Sequence, residues 1–315
     1  RDFLTKPPSG DELMSTIRRV YEMGKKRAPM MVPVQPAFPT ATGAGAGTGP
    51  RDGKIIAVFS PKGGTGCTTI AVNLAIALQR TSGGTRKVAL VDTNLQFGDV
   101  GVMLNMPASR SIADLADNLD ELDSDLLSSV MSVHGSGVKV LLAPPHPEAA
   151  ESILSSRLDE STGGNLTLKK IFDLMRGEFD FIVADMWSWV DAVALTVFDA
   201  AALIVLVVMP NIPSIKSARL FLEIAGKLNY PTEEIALVVN GVDRRTGIRV
   251  EQIQQALLPV AAQVPLDEQE AIVAANKGVP FIMRDQNRPI AQGILQLAER
   301  VQRMLTPPLE EEGGK

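Results

Sequence analysis

The sequence has a single cysteine, Cys67, among 315 residues, and its two histidines lie far apart in the chain. That excludes an internal disulfide framework and leaves no metal-binding spacing of histidine and cysteine. Excess positive charge is also missing, since the formal net charge is −5. Without a general basic field, tight sequence-independent binding of nucleic acid is disfavoured unless a local patch supplies it. Long apolar runs are absent. The longest, "AAALIVLVVMP" from Ala200 to Pro210, is about half what a membrane-spanning helix requires and reads as a buried strand. No signal-peptide pattern opens the chain, so the expected compartment is the cytoplasm. The chain begins at Arg1 rather than methionine, and further domains upstream are expected. What the sequence does have is an apolar fraction of 45%, ample for a buried core in a length that suits one large or two modest domains.

Residues 1–27, "RDFLTKPPSGDELMSTIRRVYEMGKKR", hold a Lys6-Pro7 pair, a helix start at Ser9-Gly10-Asp11, and Leu13, Ile17, Val20 and Tyr21 at helical spacing. Lys25, Lys26 and Arg27 fall in the last turn, where the helix dipole favours cations. The stretch resembles the end of a response-regulator receiver domain, and a solitary capping helix fits the same residues. Residues 28–52 are rich in Pro, Ala and Gly without a period and read as a linker. Residues 53–306 read as one folded domain, and 307–315, "PPLEEEGGK", as an acidic flexible tail.

From Lys54 onward, β-branched runs alternate with helical patterns. Strands are expected at 54–60, 87–92, 138–143, 179–185, 202–208 and 235–241, with a weaker one at 260–265. The clearest helices are expected at 68–81, 167–176, 213–228 and 288–305. Near-continuous apolar strands separated by helices predict an α/β fold with a doubly wound, mainly parallel sheet covered on both faces. Ligands of such sheets bind beyond the carboxyl ends of the strands, so the residues just after each strand are the candidates.

After the first strand comes "SPKGGTGCTT", residues 60–69. Its glycines let the backbone curl so that successive N–H groups point at phosphate oxygens, and the following helix adds the partial positive charge of its N-terminus. Cys67 stands where G-x-x-x-x-G-K-[ST] would place a lysine.

Lys62 directly before Gly63-Gly64 is the mark of the deviant phosphate-binding loop of the MinD/ParA family, and the chain after Lys54 resembles that family throughout. The resemblance implies a P-loop NTPase fold, bound ATP or ADP with Mg2+, and a homodimer across nucleotide in which Lys62 reaches the partner's phosphates. It makes Lys62, Gly63, Gly64, Thr65, Gly66, Cys67, Thr68 and Thr69 nucleotide-binding, and it gives Thr68 and Asp185 to the metal. Asp92 matches the first switch aspartate beside the attacking water, so Asp92 and Lys62 are the implied catalytic pair. Asn240 matches the asparagine that reads the adenine edge, and it equally fits a turn before Gly241. Residues 264–282, "VPLDEQEAIVAANKGVPFI", resemble the segment that closes the base pocket. Two features depart from the family: Asn94 replaces the second acid of a D-x-D, and "MWSWVD" after Asp185 lacks the usual small or proline-bearing residues. Arg244, Arg245 and Arg249 form a small basic cluster that reads as a solvated face.

Within the superfamily, "VDTNLQFGDVGVMLN", "VHGSGVKVLLAPPHPEAAESI" and "VVMPNIPSIKSARLFLEIAGKLNY" resemble the CpaE/TadZ branch, the pilus-assembly and localisation proteins of tight-adherence (Flp) pilus systems. That branch carries a receiver-like domain ahead of the ATPase-like one and accepts other residues at the position of Cys67. It implies pilus or secretion machinery as partners, with recruitment to a cell pole through them. A membrane anchor at the C-terminus is not expected, because the final helix runs into an acidic tail that anionic lipid would repel. A lysine in place of Cys67 would donate charge-assisted hydrogen bonds of roughly 1.5–3 kcal/mol each, so its loss weakens ground-state binding by about 10–100-fold. Turnover should fall further, because charge builds on the transferring phosphoryl group. Slow or absent hydrolysis is expected. A thiol at a helix N-terminus can be acidified, which would make Cys67 redox-sensitive; a small side chain filling the place of a dispensable lysine is the plainer reading.

Overall fold

A computed structural model of the chain describes residues 51–156, 158–243, 245 and 248–306. The receiver-like helix of residues 1–27, nearly all of the linker, the acidic tail and Arg244 lie outside the described residues. Arg51 and Asp52, assigned to the linker from composition, are tied to the folded domain. Asp52 pairs with Lys54 at 2.6 Å and Arg176 at 2.9 Å, and Arg51 donates to the Glu178 carbonyl.

Eight strands form one sheet: β1 (Lys54–Phe59), β2 (Val88–Asp92), β3 (Ser132–Val133), β4 (Lys139–Leu141), β5 (Phe181–Asp185), β6 (Ala201–Val208), β7 (Ile235–Val242) and β8 (Val260–Pro265). Their order is β3-β4-β2-β5-β1-β6-β7-β8. Every pairing is parallel except β3 with β4. The expected strands are all present, and β3 is an addition. It has only two residues and no apolar period to announce it.

The principal helices are α1 (Cys67–Thr81), α2 (Leu166–Glu178), α3 (Ala192–Ala200), α4 (Ile212–Lys227), α5 (Glu268–Lys277) and α6 (Pro289–Leu305). Two of these, α3 and α5, were not among the clearest helical patterns. Each starts at an aspartate whose carboxylate caps the first turn, Asp191 accepting from Ala194 N and Asp267 from Glu270 N, a signal that is legible once the cap is sought.

The central strands β1, β2 and β5 are buried on both faces because helices cover both. One apolar layer joins Ile56, Val58, Leu74 and Leu78 to Ile294, Leu297 and Val301 of α6. The other joins Ile55, Ala57 and Phe59 to α2, α3 and α4 through Phe172, Val197, Phe198 and Phe221. Phe59 meets Phe198 edge-to-face at 5.0 Å and Phe221 at 4.9 Å, and full burial of such a side chain stabilises by about 1.5–3 kcal/mol. The apolar face of α6 is consumed by this packing. No helix among the described residues is long and apolar enough to cross a membrane.

Strand order reverses direction at β1. The chain moves outward from β1 to β2 and β4, returns with β5 between β2 and β1, then proceeds through β6, β7 and β8 on the other side. The crevice beyond the carboxyl end of β1 is therefore a topological switch point, where ligands of doubly wound sheets bind.

Candidate functional site

The loop after β1 occupies that crevice. Gly64 and Gly66 have φ of +78° and +89°, a left-handed conformation that favours glycine. Gly66 caps α1, whose first turn carries no acidic residue. The positive end of the helix therefore stays available to an anion. Lys62 is exposed and makes no ion pair among the described residues.

Asp92 and Asp185 end adjacent parallel strands in register with each other, and both are 1% exposed. Thr93 ties the two strand ends together, donating its N–H at 3.0 Å and its hydroxyl at 2.6 Å to the Asp185 carbonyl. Burial pushes the Asp185 carboxyl well above the usual range and the charge of Asp92 adds to this, while the Thr68 hydroxyl works the other way. The Asp185 Oδ1 atom is buried and has no hydrogen-bond partner. An orphaned carboxylate oxygen beside a threonine hydroxyl is the donor set a hard oxygen-seeking cation such as Mg2+ accepts, so the residues present fit that ion.

Asp92 is held differently. Its two oxygens accept the N–H groups of Asn94 at 3.1 Å and Val100 at 3.2 Å, so the loop from 94 to 100 folds around the carboxylate. Gly98 lies flat against it, and a β-carbon there would collide with the Asp92 carboxylate and with Ala143. Burial still raises Asp92 to about 7, against those two donors. Asn94, in place of a second acid, spends its side-chain amide on the Phe97 carbonyl at 2.9 Å. It closes a turn.

Cys67 sits at the first position of α1, with its sulfur 3.7 Å from Thr65 Oγ1. An acidified thiol is not what the fold produces. Burial and the neighbouring Asp185 push the thiol up to about 12, overriding the helix N-terminus and the Thr65 hydroxyl. Cys67 is a neutral side chain whose charged neighbour is Asp185.

Asn240, at the end of β7, donates its amide to the Thr65 carbonyl at 2.8 Å. Beside this contact lies a cavity of about 160 Å³ walled by Gly66, Thr69, Met209, Pro265, Leu266 and Phe281, among others. Residues 264–268, 271 and 281 line this cavity together with Gly64, Thr65, Gly66 and Thr69 of the loop. Asp267 on its rim is held by Arg288 at 2.7 Å, and Arg288 and Arg284 both pair with the buried Glu270. These arginines escaped the sequence reading, because lone cations carry no period. The same holds for buried Asn73, which accepts from Ile282 N and donates to the Thr69 carbonyl, stapling α1 to the segment before α6. Its amide lies within an apolar helix pattern, where only the apolar positions were read.

The structure therefore gathers Lys62–Thr69, Asp92, Asp185 and Asn240 around one crevice. Arg245 and Arg249 stand apart, Arg245 in an exposed ion pair with Asp243 at 2.8 Å.

A family profile described as "AAA domain" matches residues 53–234. An uncharacterized ATP-binding protein of Methanocaldococcus jannaschii is 28% identical, over 78% of this chain and 86% of the relative. A ParA family ATPase from Chlorobium tepidum superposes with a TM-score of 0.69 at 21% identity, covering 78% of this chain and 98% of that one. The septum site-determining protein MinD of Pyrococcus horikoshii, solved with Mg-ADP, superposes with a TM-score of 0.67 at 21% identity, covering 82% and 99%.

Proposed function

The chain belongs to the AAA domain family and has the MinD/ParA P-loop fold, and from that premise we propose that it is a nucleotide-dependent dimeric assembly or localisation factor that binds ATP with Mg2+ and hydrolyses it slowly or not at all. The relative described as ATP-binding and the fold neighbour solved with Mg-ADP support the choice of ligand. In this reading the loop N–H groups and α1 hold the phosphates, Thr68 and Asp185 hold the metal, and the cavity beside Asn240 takes the base. Lys62 is the cation left to reach a partner subunit's phosphates. A magnesium ion would supply charge neutralisation of the phosphate oxygens. Asp92, wrapped by its own loop, fixes the 94–100 segment at the strand end next to Asp185 and would be the candidate to hold a proton of the attacking water.

One observation carries the weak-hydrolysis claim. The neutral Cys67 thiol occupies the place of the phosphate-gripping lysine, with the buried Asp185 carboxyl as its charged neighbour and no cation beside it among the described residues. The pilus role rests on the CpaE/TadZ-like stretches, and partners of that machinery would bring the protein to a pole from the cytoplasm.

The test is calorimetry with Mg-ATP and Mg-ADP, joined to a phosphate-release assay at saturating Mg-ATP and to sedimentation with and without nucleotide. Micromolar to millimolar binding, negligible turnover and a nucleotide-dependent dimer abolished by Lys62→Ala are expected. Turnover equal to that of active partitioning ATPases would favour an ordinary positioning enzyme, and no binding at millimolar ligand would favour a nucleotide-free scaffold.

A further inference from the structure

We infer that Asn240 is a positioning residue for the phosphate cradle, holding the Thr65–Gly66 peptide so that the Gly66 N–H is presented to phosphate. This rests on the reading of the 60–69 loop as a nucleotide site and adds to it a link between base cavity and phosphate loop.

A peptide unit is planar and trans, so its C=O and N–H point in opposite directions. The Asn240 amide fixes the Thr65 carbonyl at 2.8 Å, which turns the Gly66 N–H away from Asn240. That N–H makes no hydrogen bond among the described residues. A donor so fixed and so unpaired is a preorganised anion ligand, and its orientation depends on a side chain from a strand 175 positions along the chain.

The contact is built into the backbone on both sides. Gly241 has φ of +74°, and the pairing of β7 with β8 slips between Asn240 and Val242; such an irregularity re-aims a side chain at a strand end. On the loop side, a β-carbon on Gly66 would come within 2.5 Å of Asn240 Nδ2. Gly66 is thus required by φ and by the approach of Asn240 together. Because Asn240 also lines the base cavity, one side chain serves both halves of the site.

The experiment compares Mg-ATP with inorganic tripolyphosphate, which has phosphates and no base, by calorimetry on wild type, Asn240→Ala and Asn240→Ser. Hydrogen exchange of the 60–70 segment without ligand provides the second measurement. Loss of one preorganised donor should weaken both ligands by about tenfold in each variant, with faster exchange in the loop. Variants that lose ATP affinity alone, with tripolyphosphate binding and loop exchange unchanged, overturn the inference and leave Asn240 a reader of the base. Wild-type protein that binds neither ligand overturns the nucleotide reading and this inference with it.

Discussion

Asp92 and Asp185 stand side by side in register at the carboxyl ends of β2 and β5, both buried, and no lysine or arginine pairs with either among the described residues. Two neighbouring buried carboxyls without a cation resist ionisation, because each charge is poorly solvated and repels the other. Cys67, whose charged neighbour is Asp185, stands where a lysine would fall and carries no charge.

The pair makes stability fall with rising pH when no divalent cation is present. Both folded-state values lie above the unfolded ones, Asp92 at about 7 and Asp185 well above 3.8. Their contribution is fully present below the unfolded carboxylate range and is lost as pH rises through the folded values. Asp185→Asn removes one of the two groups. In thermal melts with chelator its Tm should match wild type below about pH 4, where the unfolded chain is also protonated, and exceed it increasingly as pH rises to about 8. A difference independent of pH would contradict the assignment.

Restoring a lysine should reverse two properties at once. Cys67→Lys places an ammonium beside Asp185 and the phosphate position, so Mg-ATP affinity should rise by about 10–100-fold. Phosphate release should rise by a larger factor, since the transferring group gains charge in the transition state. Calorimetry and a turnover assay on the same preparation measure both.

The thiol should be inert in the native protein. With Cys67 pushed up to about 12, almost no thiolate exists at pH 8, and thiolate is the reactive form. Iodoacetamide followed by intact-mass analysis should show negligible labelling of folded protein and complete labelling in denaturant. Rapid labelling of the native state would restore the redox-sensor reading.

Gly98 should tolerate no side chain. Alanine there drives a methyl into the Asp92 carboxylate and Ala143, and overpacking of this kind costs about 1–3 kcal/mol. Gly98→Ala is expected to lower the midpoint of a urea melt without changing its slope, whereas Gly135→Ala, at a glycine with open space around it, should leave the midpoint in place.

Much of the fold is legible along the chain because strands and helices are written in local periods. The apolar runs of β1, β2, β5, β6 and β7 lie where the sequence places them, and the glycines of the phosphate loop announce themselves by spacing. What escaped has no local period. The two-residue β3 is too short to show an alternation and exists only by pairing with β4, while the arginines on Glu270 and buried Asn73 are defined by partners on other elements. The acidified thiol was inferred from a helix N-terminus alone, and burial beside Asp185 outweighs that dipole.

Local pattern thus decides that this chain has a glycine loop between a buried strand and a helix, and that cysteine replaces the lysine there. Only the folded sheet decides what that replacement means. The insertion of β5 between β1 and β2 brings Asp185 level with Asp92, and the slip in β7 brings Asn240 to the Thr65 carbonyl. Strand order follows from which apolar faces must be covered and from the handedness of the crossovers, which are properties of the whole chain. Carboxyl acidity and loop geometry depend on neighbours that only this order supplies.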